Sequence, residues 1–513
     1  MHITTRSLLL LALAAPAIGQ NDFALDKTTP GALGAPITLR VSAAPANSAL
    51  FYALSTTGGP TPIALVDAAD SRSLSVGVDL INEWYFALTD GAGQSTLALT
   101  VPNDTAFVGL TLHWQSFTFP GASTLLGQIS NDVVTQCGPS GTATTGPSAL
   151  IIPRAFATAF AGQGAGNVLI AGGGGGTLTS STGLATTEQF DFRRLAATAG
   201  PTMNSARALH QAITLADGRV LVCGGADALG AVLSTCEIYD PATNSFTPTG
   251  SMLTPRVLHA AVRLADGRVL VAGGTSSLLD AVSTITNVRN STEVYNPATG
   301  TWSVTANLGG FRMLPSLSLL PNGRVLAAGG LEVSFLFGIP LSAGTTASCQ
   351  TYNPATNSWA AAAAMPGART GHQFNQITLQ NGRVLMTGGM SVSVNITTQV
   401  ITTTPLTNAC YYDQPTNTWT SSTMATARSL HSATRLADGR VVVCGGAQGS
   451  LTLPVAVDGV EVYSPTTNGW ASLAALPTPR MAHASALLPD GTIVLLGGQD
   501  AVGTTAAIAL LRL

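Results

Sequence analysis

The chain has 513 residues, 45% of them apolar and only 9% charged, with 22 basic against 25 acidic side chains. A net charge of −3 and a single lysine, Lys27, exclude a polybasic nucleic-acid or membrane-surface protein, because no positive field is present to displace counterions. The 55 glycines and 28 prolines follow no collagen period, and with abundant Val, Leu and Thr they predict many short strands joined by turns.

Residues 1–19 read as a secretory signal peptide. His2 and Arg6 form a short n-region, Leu8 to Ala15 an apolar stretch, and Ala17-Ile18-Gly19 a small-residue cleavage site. The apolar stretch falls short of the roughly 20 residues a membrane span needs. The expected location is therefore secreted or periplasmic. Residues 20–136 predict a small β-sandwich with strands at 37–43, 49–55, 73–78, 84–88, 96–101 and 108–117, divided by turns such as Asp90-Gly91.

From residue 137 to 513 the chain repeats itself. Arginines recur at 154, 207, 256, 312, 369, 428 and 480, at intervals of 49 to 59 residues. Each opens an apolar strand, an Asp-Gly or Asn-Gly turn and a second strand. That strand ends in a double glycine at 172–173, 224–225, 273–274, 329–330, 388–389, 445–446 or 497–498. After a variable loop come a third-strand aromatic (Tyr295 in the clearest copy), a Pro-Ala-Thr turn and a fourth-strand aromatic (Trp302). The turns supply the positive φ of tight hairpins, and the glycine pair allows a bend and close backbone approach. Each unit predicts a four-stranded antiparallel sheet that buries its faces only by stacking on neighbouring copies. The last copy stops after its third strand, near 506–513. Residues 141–150 sit where they could supply the missing fourth strand and close the ring.

These repeats resemble the Kelch repeat. The resemblance implies an all-β fold, a seven-bladed Kelch-type β-propeller preceded by the small sandwich. A seven-bladed Kelch propeller behind a sandwich is also similar to galactose oxidase and related copper radical oxidases. Those enzymes need two His and two Tyr on one copper, with an adjacent Tyr-His pair, and this sequence has no Tyr-His dipeptide. Some secreted Kelch propellers isomerise sialic acid. Glu188, Glu237, Glu293 and Glu461 recur with the third strand and read as structural.

Five histidines stand three residues after a repeat arginine. The pairs Arg207/His210, Arg256/His259, Arg369/His372, Arg428/His431 and Arg480/His483 are candidate ligand-binding groups around the axial channel; the alternative is one interblade contact repeated. No metal site, catalytic residue or cofactor is expected, since neighbouring arginines repel a cation. Cys223 and Cys236 lie at like distances from one connecting loop and could form a cross-strand disulfide. The long, dissimilar loops 275–292, 331–348 and 390–409 mark the expected binding face. The apolar 331–339 segment either tucks onto the propeller or meets a partner. The expected function is a secreted, monomeric, non-catalytic module that binds or scaffolds protein or glycan partners; the alternative is a sugar-active oxidase or epimerase.

Overall fold

The structure is a computed structural model describing residues 2–3, 23–65, 67–77, 79, 84–119, 124–175, 182–372, 376–398, 400–450 and 453–513. Apart from His2–Ile3, the expected signal peptide lies outside the described residues. Strands dominate, and the helix Ala281–Thr286 spans a single loop.

The described residues of 23–136 form two packed sheets and a small hairpin, Gly58–Pro62 with Ser73–Val76. One is ordered Ala24–Lys27, Pro36–Ser42, Ser95–Thr100; the other runs Trp84–Leu88, Ala49–Ser55, Thr111–Phe119, Ile129–Gln136. Leu25, Leu39 and Val41 from the first meet Leu50, Trp114 and Val133 from the second, as alternation along half-buried strands requires. Three strands were absent from the sequence reading: Ala24–Lys27, Gly58–Pro62 and Ile129–Gln136. The last was hidden by Ser130-Asn131-Asp132, which looks like a turn. Its register shifts there, and the strand then resumes.

Seven four-stranded sheets follow, each wholly antiparallel. In the clearest, Ala260–Arg263 pairs with Val269–Ala272, that with Thr292–Asn296, and that with Thr301–Thr305. The second strand of every sheet is fully buried, as in Val269–Ala272 and Val441–Cys444. The innermost strands neighbour one another in a closed circuit, so the sheets are blades about an axis. Blade one contains Thr158–Ala161, and blade seven contains Ala484–Leu487.

Blade seven closes the ring as the truncated last repeat required. Thr142–Ala149 pairs with Ala507–Arg512, with Thr142 opposite Arg512 and Ala149 opposite Ala507. The sandwich braces this closure. Lys27, the only lysine, is buried against Asp490 in the Asp-Gly turn of blade seven, with Nζ 2.9 Å from Oδ2. Arg193 and Arg194 of blade one pair with Asp26 and Asp132 at 2.6 and 2.8 Å. Arg512 donates to Thr144 and Gln136, joining the last strand to both.

Candidate functional site

The strand order puts the blade-to-blade connections and the loops between second and third strands on one face, and the tight hairpins on the other. The repeat arginines lie just beneath the loop face, and all seven are buried. Arg256 is typical. Its Nη1 donates to the carbonyls of Gly273 and Ser291 at 2.9 and 2.8 Å, and its Nη2 to Ser291 Oγ and Glu293 Oε1, both at 2.8 Å. Glu293 in turn accepts the backbone N–H groups of Leu253 and Thr254, in the connection arriving from blade two. Arg154–Glu188, Arg207–Glu237 and Arg428–Glu461 repeat this pairing at 2.7–2.8 Å. In blade five Arg369 turns to the Asn408 side chain, and in blade four Arg312 turns to Ser348 and Glu332. A buried ion pair backed by several further hydrogen bonds fixes register, and breaking it strands a charge.

The arginine carbonyls do a second job. The N–H of each second glycine donates to the carbonyl of the next blade's arginine. Gly225 reaches Arg256, Gly274 reaches Arg312, and Gly498 returns to Arg154, at 2.8–2.9 Å. That last bond completes the circuit. It explains the double glycine: a Cβ on Gly224 would stand 2.5 Å from Arg256 O, and one on Gly225 would stand 2.5 Å from Ala208 O, both at positive φ.

The histidines reach back across the same seams. His210 Nε2 lies 2.8 Å from Thr158 Oγ1, His431 Nε2 2.8 Å from Thr387 Oγ1, and His483 Nε2 2.9 Å from Ser432 Oγ. His372 donates to Ala328 O at 3.2 Å, and His259 lies 3.9 Å from Cys223 Sγ. Each partner belongs to the preceding blade. Burial, followed by the adjacent arginine, holds His259, His372 and His483 down to about 3, and His210 to the same value. The ten expected ligand groups are therefore neutral histidines and ion-paired or carbonyl-bound arginines inside interblade seams.

The sequence reading missed the residue between each arginine and histidine. Phe156, Leu209, Leu258, Leu314, Leu430 and Ala482 all have φ between 51° and 56°, and Gly371 completes the set at 72°. Large side chains rarely adopt this conformation. Here it turns them onto the axis, where their backbones bond in succession: Leu209 N to Phe156 O, Phe156 N to Ala482 O, Ala482 N to Leu430 O. With Met390, Met481 and Val333 they form an apolar plug. The expected channel mouth on the loop face is thus closed. Below it lies an axial cavity of about 260 Å³ between blades one, two, six and seven, lined by His210, His431 and His483 of the expected set together with Thr158, Gln211 and Ser485. The signal was present as one apolar residue two places after every arginine but Arg369. Its identity changed from Phe to Leu to Ala, so it resembled ordinary strand residues.

Cys223 and Cys236 are directly opposed in register, as expected. Gly224 N bonds Thr235 O, so 223/236 is the adjacent, closer non-hydrogen-bonded pair. In the structure both are buried thiols in side-chain contact, and the Cys236 thiol, followed by burial, raises that of Cys223 well above its ordinary value. Burial pushes the Cys349 and Cys444 thiols up to about 12, which makes them inert packing groups.

The aromatic pattern is also accounted for. Tyr239, Tyr352, Tyr412 and Tyr463 bond the asparagine five residues on, at 2.9–3.0 Å. Trp302, Trp359 and Trp419 donate Nε1 to carbonyls of the preceding blade's outer edge, each at 2.8 Å.

A scan of family models matches the Kelch motif at residues 209–253 and 256–309, the second and third copies of this arginine–double-glycine–aromatic pattern. The chain carries Kelch repeats. Among curated proteins it is similar to Kelch-like protein 36 of Bos taurus, 28% identical over 207 residues, which are 40% of this chain and 30% of that protein. It is also similar to human Kelch-like protein 33, 40% identical over 80 residues, 16% of this chain and 14% of that one. The matches thus span less than a third of those relatives. Among solved structures it resembles a fungal alcohol oxidase of the AA5 family in complex with copper. The TM-score is 0.52 at 19% identity, covering 73% of this chain and 76% of the other, a likeness of fold alone.

A copper centre built on this Kelch propeller would need clustered His and Tyr. Among the described residues no three His, Cys, Asp or Glu side chains gather to hold a metal. The repeat histidines sit in separate seams, and the propeller tyrosines other than Tyr411, which lies under Arg383, are the wedge aromatics bonded to Asn or Thr. The residues present do not fit that ion.

The loops depart from the sequence reading in form. Those of blades four and five are strands, not coil. Phe311–Met313, Leu331–Leu336, Ile339–Thr345, Met390–Asn395 and Val400–Pro405 form one five-stranded sheet standing on the propeller. The apolar 331–339 segment tucks onto the propeller at its start and is exposed at its tip. Leu331 and Val333 cover the plug, while Leu336, Phe337 and Ile339 are exposed.

Proposed function

We propose that this Kelch propeller is a secreted, non-catalytic recognition module that engages a protein or glycan through its loop face. The observation that carries the reading is the contrast between faces. The hairpin face repeats Asp217-Gly218, Asp266-Gly267 and Asp438-Gly439 almost unchanged. The loop face builds a helix in blade three and a shared five-stranded sheet from blades four and five. Folding constraints alone would keep both faces repetitive, whereas recognition breaks symmetry on one. The occurrence of Kelch repeats in the relatives, and the use of Kelch propellers as protein-interaction modules, support the same reading. The repeat arginines, histidines and glutamates are held between and within the blades, and among the described residues no convergent acid, base and nucleophile remains for a sugar oxidase or epimerase. The test is turnover: the purified chain, incubated with copper(II), is offered galactose and primary alcohols while peroxide is followed, and sialic acid while its anomers or epimers are followed. The expected result is no product above a protein-free control. Turnover of either substrate overturns the non-catalytic reading.

A further inference from the structure

Each of five loops lifts one large apolar side chain almost wholly into solvent. They are Leu229 at 93% exposure, Leu279 at 85%, Phe337 at 95%, Leu453 at 77% and Val502 at 97%, from blades two, three, four, six and seven. All belong to loops between second and third strands, so they form a crown around one face. Four of them stand on turns that already satisfy their backbone. Leu229 N–H donates to Asp227, Leu279 to Ser277, Leu453 to Ser450 and Val502 to Asp500, at 2.8–3.3 Å. The N–H of Phe337's neighbour Leu336 belongs to a strand paired with Ile339. A tip whose backbone is already bonded loses little when a partner excludes water from it.

The same five loops carry Asp227, Asp280, Glu332, Asp458 and Asp500, one acid each. Their only cation is Arg289, half-buried and donating to Ser276. Among the described residues no exposed Arg or Lys lies on this face. The propeller's exposed cations sit on the hairpin face: Arg219, Arg268 and Arg440 pair with acids there, while Arg263, Arg324 and Arg435 have no acid in an ion pair. Glu332 answers the buried Arg312, and the repeat arginines beneath this face are held inside the blades; Asp227, Asp280, Asp458 and Asp500 stand outside them with no ion pair among the described residues, so the outermost charge on the loop face is negative and favours a positive partner.

Resting on the loop-face reading above, we propose that the crown docks a basic protein surface that also offers apolar side chains. The acids draw it in, and the five tips supply the buried contact. An anionic lipid surface has the same sign as the crown and is repelled.

The experiment uses the full chain and three probes: a peptide of alternating Lys and Leu, one of alternating Glu and Leu, and phosphatidylglycerol vesicles. A five-tip variant (L229S, L279S, F337S, L453S, V502S) and an acid variant (D458N, D500N) are compared with the parent after circular dichroism confirms folding. The Lys/Leu peptide is expected to bind at least tenfold more tightly than the Glu/Leu peptide, to weaken with salt, and to lose tenfold or more on the five-tip variant and severalfold on the acid variant. Equal binding of both peptides, or a preference for Glu/Leu or for vesicles that disappears in the five-tip variant, overturns the partner chemistry and leaves the loop face standing as the working face. Lys/Leu binding unchanged in the five-tip variant overturns the crown and the loop-face reading together.

Discussion

Deleting residues 506–513 should unfold the entire propeller, not fray one blade. Ala507–Arg512 is an interior strand of blade seven, hydrogen-bonded to Thr142–Ala149 on one side and Ile493–Leu496 on the other. Its loss removes the buried side chains of Ile508, Leu510 and Leu511, worth roughly 2 kcal/mol apiece. It also removes Arg512, which ties the sandwich to the ring. The remaining six blades would keep two open faces where the circuit of glycine-to-arginine bonds was continuous. Total stabilities of about 5–15 kcal/mol leave little reserve against that loss. The expected result is an insoluble chain, or one without a cooperative thermal transition. A truncated chain that melts at the parent's temperature contradicts closure by the two ends.

Acid should unfold the protein well above the range where carboxylates titrate. Burial and the neighbouring arginines hold His210, His259, His372 and His483 at about 3, and lower His431 as well. The unfolded chain takes up these protons near 6.5, whereas the folded chain resists them until about 3. Stability is therefore retained above about 6.5 and lost progressively as the pH falls towards 3. At pH 5 each of His210, His259, His372 and His483 costs about 2 kcal/mol, and the four together about 8, comparable with the stability of a whole domain, with His431 adding in the same direction. Denaturant midpoints measured at pH 7.5, 6 and 5 should fall steeply, with several protons taken up on unfolding at pH 5. A midpoint constant over that span would mean that the histidines are solvated or already charged.

Much of the scaffold was legible because it is written seven times. The Asp-Gly turns, the double glycines and the Tyr/Trp offsets predicted four-stranded blades, and the missing last strand predicted pairing with 141–150. The partners of the arginines were harder to read, because the third-strand glutamates lie roughly 30 to 37 residues on, beyond loops of unequal length. Arg256 and Glu293 close within one blade, and the tie to the preceding blade runs through the Leu253 and Thr254 N–H groups that Glu293 accepts, a contact no spacing in the sequence announces. The plug was invisible because it depends on backbone conformation, which Phe156, Leu209 and Ala482 share while their side chains differ. The sheet over blades four and five could not be read from either loop alone. Ile339–Thr345 of one pairs with Met390–Asn395 of the other, a contact between copies that repeat arithmetic does not contain.

The central claim is a division of labour: the arginine–glutamate–histidine seams hold the ring, and the loop face is free to recognise. Calorimetric melting of two variants tests it directly. In one, residues 335–341 are replaced by Asn-Gly, which shortens the exposed hairpin and spares Leu331 and Val333. In the other, Arg256→Met leaves Glu293 buried without its cation, at a cost of about 3 kcal/mol or more. The account predicts that the first melts with the parent and the second several degrees below it. A hairpin variant that melts far below the parent, beside an Arg256→Met variant that melts with it, would contradict the division.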